Sequence, residues 1–232
     1  MLALSKAITA EPQVRRLIEC VKTGGTPAVI SGLSGIHRAH LAAAIRAETG
    51  RRLVVVCADE TECAKMGADI AVLAGEETVT LCSREYTFHN VEGVSRQSEQ
   101  ARIGALFKMA GGAQLVAATI DGLLQRAIPK DDLLGAVFEI SPEGRYDIEE
   151  LAGRFERAGY HRCDQVEGCG QYAVRGGILD FFSPAHSAPV RCEFFGDEVD
   201  SLSWFDAVTQ RRTSNAPSAL ALPVAETLPQ LY

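Results

Sequence analysis

The sequence predicts an α/β protein: a parallel-sheet domain carrying a degenerate phosphate loop, followed by an α+β domain built on an antiparallel sheet. Three observations lead there. The first half alternates short β-branched runs with alanine-rich amphipathic stretches, the pattern of strands joined by crossover helices. From Tyr160 onward almost only strand signal remains, broken by the turn strings SPAHSAP and GDE. Between the two lies PKDD (Pro129–Asp132), where the pattern changes.

In order along the chain, PAVISG (Pro27–Gly32) is a buried-strand candidate, followed by a helix over His37–Glu48. LVVVCAD (Leu53–Asp59) is a continuous apolar run, expected of a strand covered on both faces. Asp59 and Glu62 make a capping box for a helix through Leu73, which Gly75 stops. TVTLC (Thr78–Cys82) and LVAAT (Leu115–Thr119) are further strands, with a helix over Ser95–Met109 between them and Asp121 capping a short helix after them. SREYTFHNVEGV (Ser83–Val94) reads as an irregular crossover. Its Tyr86, Phe88 and His89 suit packing of that loop better than base stacking.

In the second half, VFEI (Val137–Ile140) is a strand. Asp147 and Glu150 open a helix that presents Ile148, Leu151 and Phe155 on one face and ends at Gly159. Strands follow over Tyr172–Val174, Ile178–Phe182, Val190–Phe195 and Val199–Phe205. After Thr213 the string TSNAPSA reads as linker.

Composition narrows function. With 232 residues the chain holds one large or two smaller domains, at roughly 100–200 residues each. Apolar residues make up 47% and charged residues 23%, which excludes disorder. Thirty acidic side chains against 23 basic ones leave a formal charge of −7, unfavourable for an autonomous DNA binder. Seven scattered cysteines without a CxxC pair suit reduced thiols and match no zinc ladder. No apolar stretch approaches the ~20 residues of a membrane span, so a cytoplasmic protein is expected.

Nucleotide chemistry has one candidate place, SGLSGIHRAH (Ser31–His40), after a strand candidate and at the start of a helix. A working phosphate loop reads GxxxxGK[ST]: glycines let backbone N–H groups wrap the phosphates, lysine neutralises them and the hydroxyl binds magnesium. Gly32 and Gly35 are present, but His37 stands at the second motif glycine, Arg38 at the lysine and Ala39 at the hydroxyl. Ala39 cannot ligate magnesium, so the loop is expected not to bind nucleotide. No catalytic site, metal site or cofactor is expected. His161 beside Cys163 is no catalytic pair, and no serine sits in a GxSxG elbow.

Specific information concentrates in Gly170–Arg211. Arg175 abuts Gly176–Gly177, and paired glycines inside a strand signal suggest a bulge. A bulge would flip side-chain parity and bring Phe182 onto the face of Arg175, with Arg162 on the preceding strand. Two arginines around an aromatic have interface composition. The same arginines could instead pair with Asp164, Asp180 or Glu193, with Phe182 in the core.

The string from Leu151 to Arg211 resembles the N-terminal UvrB-like module of the bacterial transcription-repair coupling factors (Mfd), which those proteins share with the excision-repair protein UvrB. The elements that carry the resemblance are GY-x-R (Gly159–Arg162), VRGGILD-F (Val174–Phe182), EFFGDE (Glu193–Glu198) and FD-x-x-TQR (Phe205–Arg211), in order and with short gaps. The resemblance implies a helicase-like first domain over 1–127 with its degenerate loop, an inserted UvrA-binding domain over 128–212, and a linker or the start of a third domain over 213–232. It implies that Arg162, Arg175 and Phe182 contact UvrA, with Ala173 standing where UvrB has a further arginine. It also implies no activity in this chain. ATP, magnesium, RNA polymerase and DNA would be handled by later domains of the parent, one of which would mask the UvrA surface. The alternatives are an ATP-binding UvrB-type helicase fragment that contacts DNA directly, and an unrelated small-molecule-binding α/β protein.

Overall fold

The computed structural model describes residues 7–25, 27–84 and 97–227. Tyr86, Phe88 and His89 of the expected crossover lie outside the described residues. The chain divides into two compact units, Met1–Ser83 with Lys108–Gln125, and Arg84–Phe107 with Arg126–Tyr232.

The first unit contains helices α1 (Pro12–Thr23), α2 (Gly35–Thr49) and α3 (Glu60–Ala74), and strands β1 (Leu53–Cys57), β2 (Thr78–Leu81) and β3 (Leu115–Thr119). The strands form a parallel sheet in the order β1-β3-β2. Helix α3 starts where expected: Asp59 Oδ1 accepts from Glu62 N at 2.8 Å, and Glu62 Oε2 reaches back to Ala58 N at 3.0 Å. Ala39, Ala42, Met66 and Ile70 from the two helices pack with Cys57, Leu115 and Ala117 of the sheet. The short helix α5 (Ile120–Leu124) is capped by Thr119, whose hydroxyl accepts from Gly122 N, rather than by Asp121.

Two expectations fail in this unit. Pro27–Gly32 is irregular and exposed, with Val29 95% accessible, and no described strand pairs with it. Strand β1 is covered on one face only. Val54 and Val56 are about half exposed, because side chains alternate along a strand and the core formed with α2 and α3 takes the other set. A uniformly apolar run therefore concealed an edge strand with an open face.

The second unit takes α4 (Gln97–Ala110) as far as Phe107, followed by α6 (Lys130–Gly135), β4 (Phe138–Ile140) and α7 (Ile148–Arg157). A six-stranded sheet follows: β5 (His161–Arg162), β6 (Gln171–Arg175), β7 (Ile178–Phe181), β8 (Val190–Phe195), β9 (Glu198–Phe205) and β10 (Arg212–Asn215). Neighbours in this sheet are consecutive in sequence and antiparallel, except that β5 joins β6 in parallel. The stretch after Thr213 is not a linker. It continues β10, then forms β11 (Ala219–Ala221) antiparallel to β4, and buries Leu222 and Val224.

Phe155 is the centre of this core. Its ring lies edge-on to Phe138 at 5.0 Å and Tyr160 at 4.9 Å, stacks with Tyr172 at 5.5 Å and tilts against Phe181 at 4.8 Å. Such aromatic pairs add to the stabilisation from area burial. Asp147 caps α7 by accepting from Glu149 N and Glu150 N, which aims Leu151 and Phe155 at the sheet one turn apart. The C-terminal segment is tied in by Tyr160 Oη donating to Leu222 O at 2.7 Å, and by the buried Arg102–Glu226 pair at 2.8 Å.

Phe155→Ala should destabilise the second unit by about 3–5 kcal/mol, the usual cost of truncating a buried phenylalanine, read from urea midpoints. His186 supplies a pH test. Its Nε2 accepts from Leu220 N at 3.0 Å, so that nitrogen is unprotonated, and burial holds the imidazole below its ordinary value. A depressed folded pKa means that the unfolded chain binds the proton first. Stability contributed here is complete above about pH 6.5 and declines as pH falls towards the folded value. Midpoints measured from pH 8 to 5 should fall on the acid side, and less steeply in His186→Gln.

Candidate docking surface

The glycine pair makes a tight turn rather than a bulge. Arg175 pairs with Ile178, leaving Gly176 and Gly177 as a two-residue hairpin loop. Gly176 has φ +58°, the left-handed region that favours glycine. At Gly177 a Cβ would sit 2.9 Å from Phe194 O, while Gly177 O accepts from Phe194 N at 2.7 Å. One glycine turns the chain and the other admits the neighbouring strand. The hairpin register then places Arg175, Ala173, Asp180 and Phe182 on one face, since Ala173 opposes Asp180 and Phe182 N donates to Gln171 O. Phe182 reaches Arg175's face as anticipated, by a different route.

That face is organised around one buried carboxylate. Asp180 is fully inaccessible. Arg191, opposite it on β8, clamps it with Nε on Oδ1 and Nη2 on Oδ2, both at 2.8 Å. Arg175 Nη2 reaches Oδ2 at 2.5 Å from the other side. The guanidinium of Arg191 also lies 4.6 Å from the Phe205 ring centroid. Two guanidiniums share this carboxylate, a second carboxylate, Glu193, lies on the same face opposite Ile178, and the exposed cation of the group is Arg175, whose side chain is 45% accessible. The pairing with Asp180 weighed from the sequence is thus real, and Arg175 shares that carboxylate with Arg191. Phe182 is half-buried against Val166, Ala173 and Phe205.

The FD-x-x-TQR string closes the network. Asp206 Oδ1 accepts from Thr209 N at 2.7 Å and Thr209 Oγ1 at 2.8 Å, and these bonds hold its carboxyl below the usual carboxylate range. Gln210 adopts φ +58°, the one non-glycine positive φ among the described residues. Its side-chain amide donates to Val166 O and Ala207 O, and its backbone carbonyl accepts from Arg191 Nη1 at 3.3 Å. Backbone strain at this residue is therefore compensated by three hydrogen bonds.

Arg162 does not share the face. Strand β5 pairs it with Tyr172, so it belongs to the opposite side, while His161 and Cys163 fall with Ala173. Strands alternate faces, and the parallel addition of β5 sets this parity. Arg162 is exposed on the edge strand. Its charge partly offsets the burial and the Glu156 bond that push the Tyr172 phenol up to about 12.

Residues 31–40 form a loop that leads into a helix. Gly32 has φ +80°, and Ser34 precedes α2, with its hydroxyl 3.0 Å from His37 Nδ1. Gly35 begins the helix. Arg38 Nη1 is bound to Glu62 Oε1 at 2.8 Å, and Ala39 is completely buried. Among the described residues no cluster of three His, Cys, Asp or Glu could hold a metal, and all seven cysteines are free. Burial pushes the Cys63 thiol up to about 12, away from nucleophilic use. No helix of the described residues is long and apolar enough to cross a membrane.

Sequence reasoning missed the roles of Arg191 and Gln210. Asp180 was weighed only as a neutralising partner. The available signal was a carboxylate in ILDFF facing an arginine across a hairpin of predictable register.

Residues 138–226 match the UvrB interaction domain family. The chain is 29% identical over 206 residues to the transcription-repair-coupling factor of Myxococcus xanthus, covering 85% of this chain and 17% of that protein. It is 30% identical over 221 residues to that of Haemophilus influenzae, covering 94% and 18%. It is 21% identical over 228 residues to UvrABC system protein B of Thermosipho africanus, covering 92% and 34%. The chain thus spans less than a fifth of the length of these two coupling factors, to which it is similar along most of its own.

Proposed function

We propose that this chain is the N-terminal UvrB-like module of a transcription-repair coupling factor, that it catalyses no reaction, and that it recruits UvrA so that stalled transcription leads to nucleotide excision repair. The observation that carries the reading is the face of β6 and β7. It lies within the span matching the UvrB interaction domain and presents a half-exposed Arg175 bound to the buried Asp180. Phe182 sits on the same face as the apolar anchor. Arg175 would give charge-assisted hydrogen bonds to acidic groups of UvrA, and Arg162 would add a contact from the sheet edge. In this reading the first unit is the helicase-like domain and the second the UvrA-binding domain. ATP turnover, RNA polymerase and DNA then belong to other parts of a longer protein in the cytoplasm.

Two features support a silent phosphate loop. The cation that would meet a terminal phosphate is engaged by Glu62, and the position for a magnesium-binding hydroxyl is a buried alanine methyl.

Titrating UvrA onto the chain should give a binding isotherm that Arg175→Ala weakens at least about tenfold with the thermal midpoint nearly unchanged, because Arg191 still neutralises Asp180. Phe182→Ala should weaken binding similarly, at a stability cost of about 1–2 kcal/mol for its half-buried ring. Wild-type binding by both variants would remove the surface from the interface. Calorimetry with ATP and magnesium should show no heat at micromolar concentration, and saturation there would restore the nucleotide-site reading.

A further inference from the structure

The two arginines on Asp180 are not equivalent. Arg191 engages both carboxylate oxygens, gives its remaining Nη to Gln210 O, covers Phe205 and is 18% accessible. It neutralises Asp180 alone. Arg175 touches the carboxylate through Nη2 only, and among the described residues its Nε and Nη1 have no acceptor. Nothing in the balance of buried charge calls for this second cation.

We propose that Asp180, clamped by Arg191, is a positioning residue that holds the Arg175 guanidinium in one orientation, with its Nε–H and Nη1 hydrogens left to donate to acidic groups of the partner. The inference rests on the UvrA-docking reading and adds its mechanism. An arginine on a surface strand ordinarily samples many rotamers and loses that freedom on binding. Here the freedom is already removed. The tether is short, and its far end is anchored through Arg191 to the one strained non-glycine residue among those described, Gln210. Rigid placement of planar donors favours directed hydrogen bonds to acidic groups over contact with a diffuse negative surface.

Charge and position make opposite forecasts for Asp180→Asn. That change removes a negative charge beneath the surface, so if charge alone mattered, binding to an acidic partner would tighten. Positioning requires it to weaken. Titration of UvrA onto wild type, Asp180→Asn, Arg175→Ala and the double variant should show about a fivefold or greater loss for Asp180→Asn. The double variant should bind no more weakly than Arg175→Ala alone, because the two residues act as one unit. Tighter binding by Asp180→Asn, or additive losses in the double variant, would overturn the proposal. Wild-type binding by Arg175→Ala would overturn the docking reading beneath it. A folding-independent measurement is nitrogen relaxation of the Arg175 Nε–H in the free wild-type chain. Restricted motion before any partner is added is expected, and free rotation would also overturn the proposal.

Discussion

The buried carboxylate of Asp180 constrains the sheet of the second unit. Asp180 sits on a central strand with no accessible surface. An isolated carboxylate there would be strongly penalised or would take up a proton. Keeping it ionised needs a cation at hydrogen-bond distance, and the antiparallel register of β7 and β8 places Arg191 directly opposite. That requirement reaches outwards. Arg191 needs an acceptor for its third nitrogen, which the left-handed Gln210 supplies, and Gln210 in turn bonds to the loop at Val166. Breaking such a network by removing one partner costs more than the net worth of the pair, since the remaining charge is left buried. The hairpin, the FD-x-x-TQR loop and the loop at Val166 are therefore held in one geometry by one group.

The two faces of the sheet divide the work. Towards α7, Tyr172, Leu179 and Phe181 close on Phe155 in an aromatic core. The other face carries Ala173, Arg175, Asp180, Arg191, Glu193 and Ser203 beside Phe205 and the half-buried Phe182, a layer of charge and small groups with two aromatics. Its buried carboxylate, Asp180, accepts from both arginines, and Glu193 on the same face accepts from Ser201 Oγ. What such a face offers is shape and fixed charge, the attributes of an interface.

Legibility in the sequence followed physical scale. Strands β6 to β9 and helix α7 were readable because periodicity, capping and turn residues agree locally. Pro27–Gly32 was misread because an apolar composition does not supply a hydrogen-bonding partner, and a strand exists only as part of a ladder. The run after Thr213 was misread in the opposite direction. Its turn-rich composition hid β11, whose pairing with β4 spans some eighty residues of sequence. At the site, Arg175 and Phe182 were readable as residues on one face. The displacement of Arg162 to the other face depends on the parallel registration of β5, which no local signal carries.

The first unit fits the same logic. A phosphate loop works by keeping its polar groups unsatisfied until a ligand arrives. Here the corresponding groups have been absorbed into the fold. Arg38 is paired with Glu62, and Glu62 also holds the backbone at Ala58 ahead of α3. At position 39 a hydroxyl would enter a site with no accessible surface among Ala42, Cys57 and Met66, where it would need a hydrogen-bond partner that those side chains do not offer. The methyl of Ala39 needs none. An alanine at position 39 thus suits the packing, and the loop that turns at Gly32 leads into α2. Both units thus tie charged groups to fixed partners, and Arg175 is an exposed cation held in place from beneath.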